Sequence, residues 1–199
     1  MITQVKLENI FLQPPHIAKL DSFMSILLDW NKKIRLTGYR SLQDIRTNLI
    51  FDSILAHYAM SSCFNDEPHV DFGSGNGVPG IVFSILNPER RYLLIEKIEK
   101  KRIFLEYVIR HLGLYNVEVL SGFSSSTFSP VVWMKAITIS DFLNDPKATQ
   151  WVLPPIRFLR FGVDPHPSCK HISTYVINGI IKNWDESHSL TLSEAVFQG

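Results

Sequence analysis

A chain of 199 residues with 45% hydrophobic content and a formal net charge of +1 is long enough for one substantial core. It is too close to neutral to hold polyanions through global charge, which leaves only local basic patches for that purpose. Cys63 and Cys169 lack metal or redox spacing, and no basic leader or apolar run of membrane-spanning length is present, so a soluble, cytoplasmic, metal-free monomer is expected.

In chain order, residues 16–33 place Ile17, Leu20, Met24, Leu27 and Leu28 at helical spacing. Residues 41–60, with Leu42, Ile45 and Leu49, predict a second helix, so residues 1–65 are expected to form a helical N-terminal extension. After the polar break Asn65-Asp66-Glu67-Pro68 the pattern changes to strand 69–72, helix 79–87, strand 91–96, helix 98–112 and strand 117–120, with Gly113 as the glycine that ends the second of these helices. A serine-rich stretch from Ser121 to Ser129 leads to the strand candidate Val131-Val132-Trp133-Met134, and further strands are predicted at 156–161 and 172–181. Alternating strands and helices imply an α/β fold, a doubly wound Rossmann-like sheet over residues 66–199 that forms one compact unit with the extension. Residues 194–199 carry no signal of their own.

The segment with most chemical content is Asp71-Phe72-Gly73-Ser74-Gly75-Asn76-Gly77-Val78-Pro79-Gly80, set between a strand and a helix. Glycine there permits positive φ and close approach of a ligand to the backbone. Read from Gly75 it satisfies the dinucleotide fingerprint; read from Gly73, Asp-x-Gly-x-Gly-x-Gly is the pattern of S-adenosylmethionine sites. The second register fits better, because the strand ends at Phe72 and Gly73 then takes the first turn position. Pro79 suits the first turn of the following helix. A glycine-rich turn that binds nothing is the competing explanation. Glu96 follows the apolar run Tyr92 to Ile95, at the strand tip where a carboxylate can accept from both ribose hydroxyls. It would serve a nicotinamide cofactor equally well, and a solvated pairing with Lys97 or Lys100 is its bland alternative.

Trp30-Asn31, Leu36-Thr37, Asp52-Ser53, the run Asp71 to Gly80, Lys101-Arg102-x-Phe104-Leu105, Leu112-Gly113-Leu114 and Asn116-Val117-Glu118 together resemble the bacterial 16S ribosomal RNA guanine-N7 methyltransferases, the glucose-inhibited division protein B family. The resemblance covers residues 20–160. It implies a class I methyltransferase sheet with a helical cap, S-adenosylmethionine as donor, and ribosomal RNA or the small ribosomal subunit as partner. By the same resemblance Asp71, Gly73, Ser74, Gly75, Gly77 and Val78 hold the donor, the amides from Gly73 to Val78 taking its carboxylate and Glu96 its ribose. Phe123 and Ser124 border the adenine, Phe123 being as apt for core packing, while Asp52 and Lys135 stand at the acceptor as catalytic residues. Guanine N7 has a free lone pair, so such a transfer needs alignment rather than a general base.

RNA needs positive charge near the acceptor. Lys32, Lys33, Arg35, Arg40 and Arg46 form one candidate cluster; Lys97, Lys100, Lys101, Arg102 and Arg110 form another, partly neutralised by Glu99 and Glu106. Trp30 has the spacing of a core residue. The chain departs from the family's pattern at Asn48-Leu49, where a basic pair is usual, and at Lys135, where arginine is usual. These departures leave open a relative that binds donor or RNA without turnover, or one with a different acceptor.

Overall fold

The computed structural model describes residues 1–60, 68–124, 131–152, 155–163 and 166–198; Cys63 and the serines after Ser124 in the serine-rich stretch lie outside them. The chain runs β1 (Ile2–Ile10), α1 (Pro14–Asn31), α2 (Leu42–Ile45), a π turn (Arg46–Ile50) and α3 (Phe51–Ala59). It continues through β2 (His69–Phe72), α4 (Gly80–Leu86), β3 (Tyr92–Ile95), α5 (Glu99–Leu112) and β4 (Val117–Leu120). The last part holds β5 (Val131–Met134), α6 (Ile139–Leu143), α7 (Pro146–Trp151), β6 (Ile156–Phe161), β7 (Cys169–Ile181) and β8 (Glu186–Phe197).

All eight strands join one sheet in the order β1-β7-β8-β6-β5-β2-β3-β4. The central pairs are parallel, whereas β8 lies antiparallel between β6 and β7. Short apolar runs are what such a sheet requires, because both faces are covered. In β3, Tyr92 and Leu94 face the layer of α1, α3, α4 and α5, while Leu93 and Ile95 face α6 and α7. β5 divides likewise, Trp133 to the first layer and Met134 to the second. In α1, buried Leu20, Phe23, Met24 and Leu27 form the stripe that docks on this layer, after a start at Pro14 where a missing amide costs nothing. Gly113 ends α5 with φ of 59°, as a left-handed terminator should. A capping box between Thr138 and Asp141 starts α6.

Two features differ from the sequence expectation. The first 65 residues are not helical throughout: β1 opens the chain and pairs in parallel with β7 along its length. Its alternation, Val5 and Leu7 inward against Lys6 and Glu8 outward, is the period of a half-buried strand. The expected helix over 41–60 is divided by the π turn, where the Phe51 amide reaches back five residues to the Arg46 carbonyl. The final residues, mute in sequence, complete β8. Among the described residues no helix is long and apolar enough to cross a membrane.

Candidate cofactor and acceptor site

The loop between β2 and α4 is held in shape by its own hydrogen bonds. The Gly73 and Ser74 amides donate to the Ile95 carbonyl at the tip of β3, at 2.8 and 3.1 Å, and the Ser74 hydroxyl donates to the Asp71 carbonyl at 2.8 Å. The Gly77 amide donates to Ser74 O and the Val78 amide to Asn76 Oδ1. Beneath the loop, Asp71 Oδ2 accepts from the Gly80 amide at 3.0 Å. Burial pushes the Asp71 carboxyl up to about 7, against the pull of that amide. The amides expected to receive a carboxylate are therefore spent within the protein, and Asn76 is the one of that run without an acceptor among the described residues. Pro79 caps α4 from just outside rather than sitting within its first turn.

The glycines divide by what surrounds them. A Cβ on Gly80 would collide with Leu94 and lie 2.7 Å from Asp71 Oδ2, and one on Gly77 would lie 2.7 Å from Ile81 Cγ1. Both belong to packing behind the loop. Gly75, with φ of 51°, is different: a Cβ there would meet nothing nearer than Gly73 O at 3.6 Å, with Glu96 Oε2 at 3.9 Å and Lys101 Nζ at 4.0 Å. It would make ordinary van der Waals contacts without a clash, and Gly75 itself lines a cavity.

That cavity measures about 880 Å³, room enough for a nucleoside with an amino-acid arm. Gly73, Ser74, Gly75, Asn76 and Val78 form one wall, and Glu96 and Lys101 stand beside them. Glu96 Oε2 accepts from the Gly75 amide at 2.9 Å and Oε1 from the Ile98 amide at 2.8 Å, which fixes the carboxylate and leaves each oxygen a second lone pair toward the cavity. Asp71 and Gly77 lie outside the lining. Phe123 is 3% exposed and packs on Phe72 and Phe142 in the core, and Ser124 does not reach the cavity either.

The same lining includes Asp52 and Lys135, which sequence separates by 83 residues. Lys135 Nζ lies 2.6 Å from Asp52 Oδ2, donates to the Asn48 carbonyl at 3.3 Å and sits 4.6 Å above the Phe161 ring. Asn48 belongs to the π turn, so the widened backbone both presents this carbonyl and sets Asp52 in the first turn of α3. The other oxygen, Asp52 Oδ1, lies 2.8 Å from His188 Nε2 on β8. Burial would push the Asp52 carboxyl up, but the hydrogen bond from His188 and the charge of Lys135 outweigh it and hold the group below the usual range. Burial draws the Lys135 ammonium down, with Asp52 pulling the other way. The sequence offered no signal for His188: it stands in an ordinary Ser-His-Ser alternation, 136 residues from its partner.

A second, polar concavity of about 540 Å³ adjoins the first, with Thr37 in the lining of both. Lys32, Lys33, Arg35 and Arg40 surround it. Arg46 is not with them; it lies 3.7 Å from Glu186 and over the Trp184 ring, bracing the β7–β8 hairpin. Of the other basic cluster, Lys97 pairs with Asp145 at 3.1 Å and Arg102 donates to the carbonyls of Glu96 and Lys97. Trp30 packs against Phe104 and Tyr107.

Residues 16–145 match the family described as rRNA small subunit methyltransferase G, GidB. Proteins named ribosomal RNA small subunit methyltransferase G are similar: that of Moorella thermoacetica is 32% identical over 114 residues, 57% of this chain and 47% of its own length. That of Wolinella succinogenes is 32% identical over 116 residues, 58% of each chain. The chain thus spans about half the length of such relatives. Among solved structures, an O-methyltransferase from Bacillus cereus in complex with SAH superposes with a TM-score of 0.52 at 13% identity, covering 89% of this chain and 91% of the other. MtNAS in complex with MTA and tNA does so with a TM-score of 0.57 at 15% identity, covering 93% and 70%. These likenesses show the fold, a class I methyltransferase-type sheet.

Proposed function

Because this chain belongs to the rRNA small subunit methyltransferase G family, we propose that it transfers a methyl group from S-adenosylmethionine to ribosomal RNA, with guanine N7 of 16S rRNA as acceptor. The observation that carries the reading is the junction at Thr37 of two cavities of opposite character. One is backbone-walled and sized for a nucleoside; the other is ringed by four cations suited to phosphates. On this reading the protein works as a cytoplasmic monomer on ribosomal RNA or the small ribosomal subunit.

When bound, S-adenosylmethionine would supply an electrophilic sulfonium methyl. The chain's own residues supply position. Gly75 leaves room at its α-carbon for the donor, and the free lone pairs of the fixed Glu96 carboxylate can accept from ribose hydroxyls. Lys135 and Asp52 line the same cavity, where they can orient a base by its polar edge. With a nucleophile that carries its own lone pair, no side chain has to remove a proton before transfer.

Calorimetric titration with S-adenosylmethionine and with a nicotinamide dinucleotide tests the donor, and labelled methyl transfer to small ribosomal subunits from a strain lacking the modification tests the acceptor. Binding of the sulfonium donor alone, followed by incorporation, is expected. Binding of the dinucleotide alone would overturn the reading, and donor binding without incorporation into any RNA would reduce the protein to a non-catalytic relative.

A further inference from the structure

His188 stands behind the cavity wall, outside its lining, and lies outside the stretch that matches the family, yet it touches Asp52. Its partner Asp52 is held below the ordinary carboxyl range and so is ionised, with lone pairs and no proton to give. At 2.8 Å the hydrogen must then lie on His188 Nε2, and the imidazole donates to Oδ1. The ring is itself fixed, edge-on to Phe51 at 5.8 Å between centroids. Phe51 in turn stacks on Trp184 at the foot of the same hairpin. One carboxylate is thereby gripped from two sides, by β8 at Oδ1 and by the cavity lysine at Oδ2.

A carboxylate tied only to Lys135 could rotate with it, since aspartate side-chain torsions at the carboxyl are broad. The second bond removes that freedom. We propose that His188 is a positioning residue for methyl transfer, donating to Asp52 so that the carboxylate presents the Lys135 ammonium in one orientation to the acceptor base. The inference rests on the transferase reading for its kinetic consequence. The C-terminal hairpin then supports the site from behind, through Asp52, as well as forming a margin of the sheet.

The test compares His188→Ala and His188→Gln with the unaltered protein. Glutamine retains an N–H donor at a comparable reach; alanine does not. For His188→Ala a fall in kcat of about tenfold is expected, with donor affinity by calorimetry unchanged, and His188→Gln should restore most of the rate. Equal loss in both variants, unaltered kcat in His188→Ala, or a parallel loss of donor affinity would overturn the proposal. A second readout needs no turnover: the Lys135 side-chain amine resonance in the ligand-free protein should shift in His188→Ala and return in His188→Gln. An unmoved Lys135 signal would refute the positioning role even in an active enzyme. An unaltered protein that methylates no RNA yet shows the shift and its return would fail the function proposed above while leaving the Asp52 grip intact.

Discussion

Asn31 closes the loop that follows α1 with a single side chain. Its Oδ1 accepts from the amides of Leu36 and Thr37, each at 2.9 Å, and its Nδ2 donates to the Tyr39 carbonyl at 3.0 Å. The residues so tied include Thr37, shared by the two cavities, and the loop presents Lys33, Arg35 and Arg40. Asn31→Ala strands three half-buried backbone groups, so a stability loss of about 1–3 kcal/mol is expected by urea denaturation. RNA affinity in a filter-binding assay should fall several-fold while donor affinity holds. Equal losses of the two affinities would assign the loop to the donor instead.

At the scale of elements, the loop between β2 and α4 separates glycines packed against neighbours from Gly75, the one proposed to face the donor. Gly80→Ala forces a methyl against Leu94 and Asp71 and should cost about 1–3 kcal/mol of stability. Gly75→Val should cost about 1–2 kcal/mol, for a branched side chain at positive φ, yet abolish donor binding by calorimetry. Retained affinity in Gly75→Val would contradict the assignment of that wall. This loop was legible in sequence because glycine, proline and a strand end leave few conformations. β2, β4 and β6 were legible to the residue for the related reason that strands of a covered sheet read as short, mostly apolar runs between breakers, even where, as in β4, burial is only partial. β1 and β8 were not read, although each alternates, because their partners lie far off in sequence and pairing is what makes a weak pattern a strand. The same distance hid His188. Sequence order also could not tell that Phe123 faces the core and that Arg46 leaves its neighbours for the hairpin, since both depend on how separate elements dock.

Across the whole molecule, three buried groups set how stability responds to acid. Burial draws His57 down to about 4 and His69 to about 3, and His69 Nδ1 accepts from the Trp133 indole at 3.0 Å, a bond its protonation would destroy. Between pH about 4 and 6 the unfolded chain holds protons on both histidines and none on Asp71, while the native protein holds one on Asp71 and none on the histidines. Unfolding then takes up one net proton. Stability should decline by about 1.4 kcal/mol for each pH unit lost in that window. Asp71→Asn removes the opposing group and should roughly double the slope, measured by urea unfolding followed through tryptophan fluorescence at pH 5 and 6. A slope that Asp71→Asn leaves unaltered would mean that Asp71 is already ionised in the native state.

The position of β8 between β6 and β7 also bears on how the protein is made. Translation delivers β2 to β5, with their helices, well before β8 emerges, so the nucleoside pocket can assemble on the nascent chain while the opposite margin of the sheet is still open. β1, made before β7, has to wait for it before it can zip into place. The chain thus forms its cavity walls before the strand that carries His188 is in place.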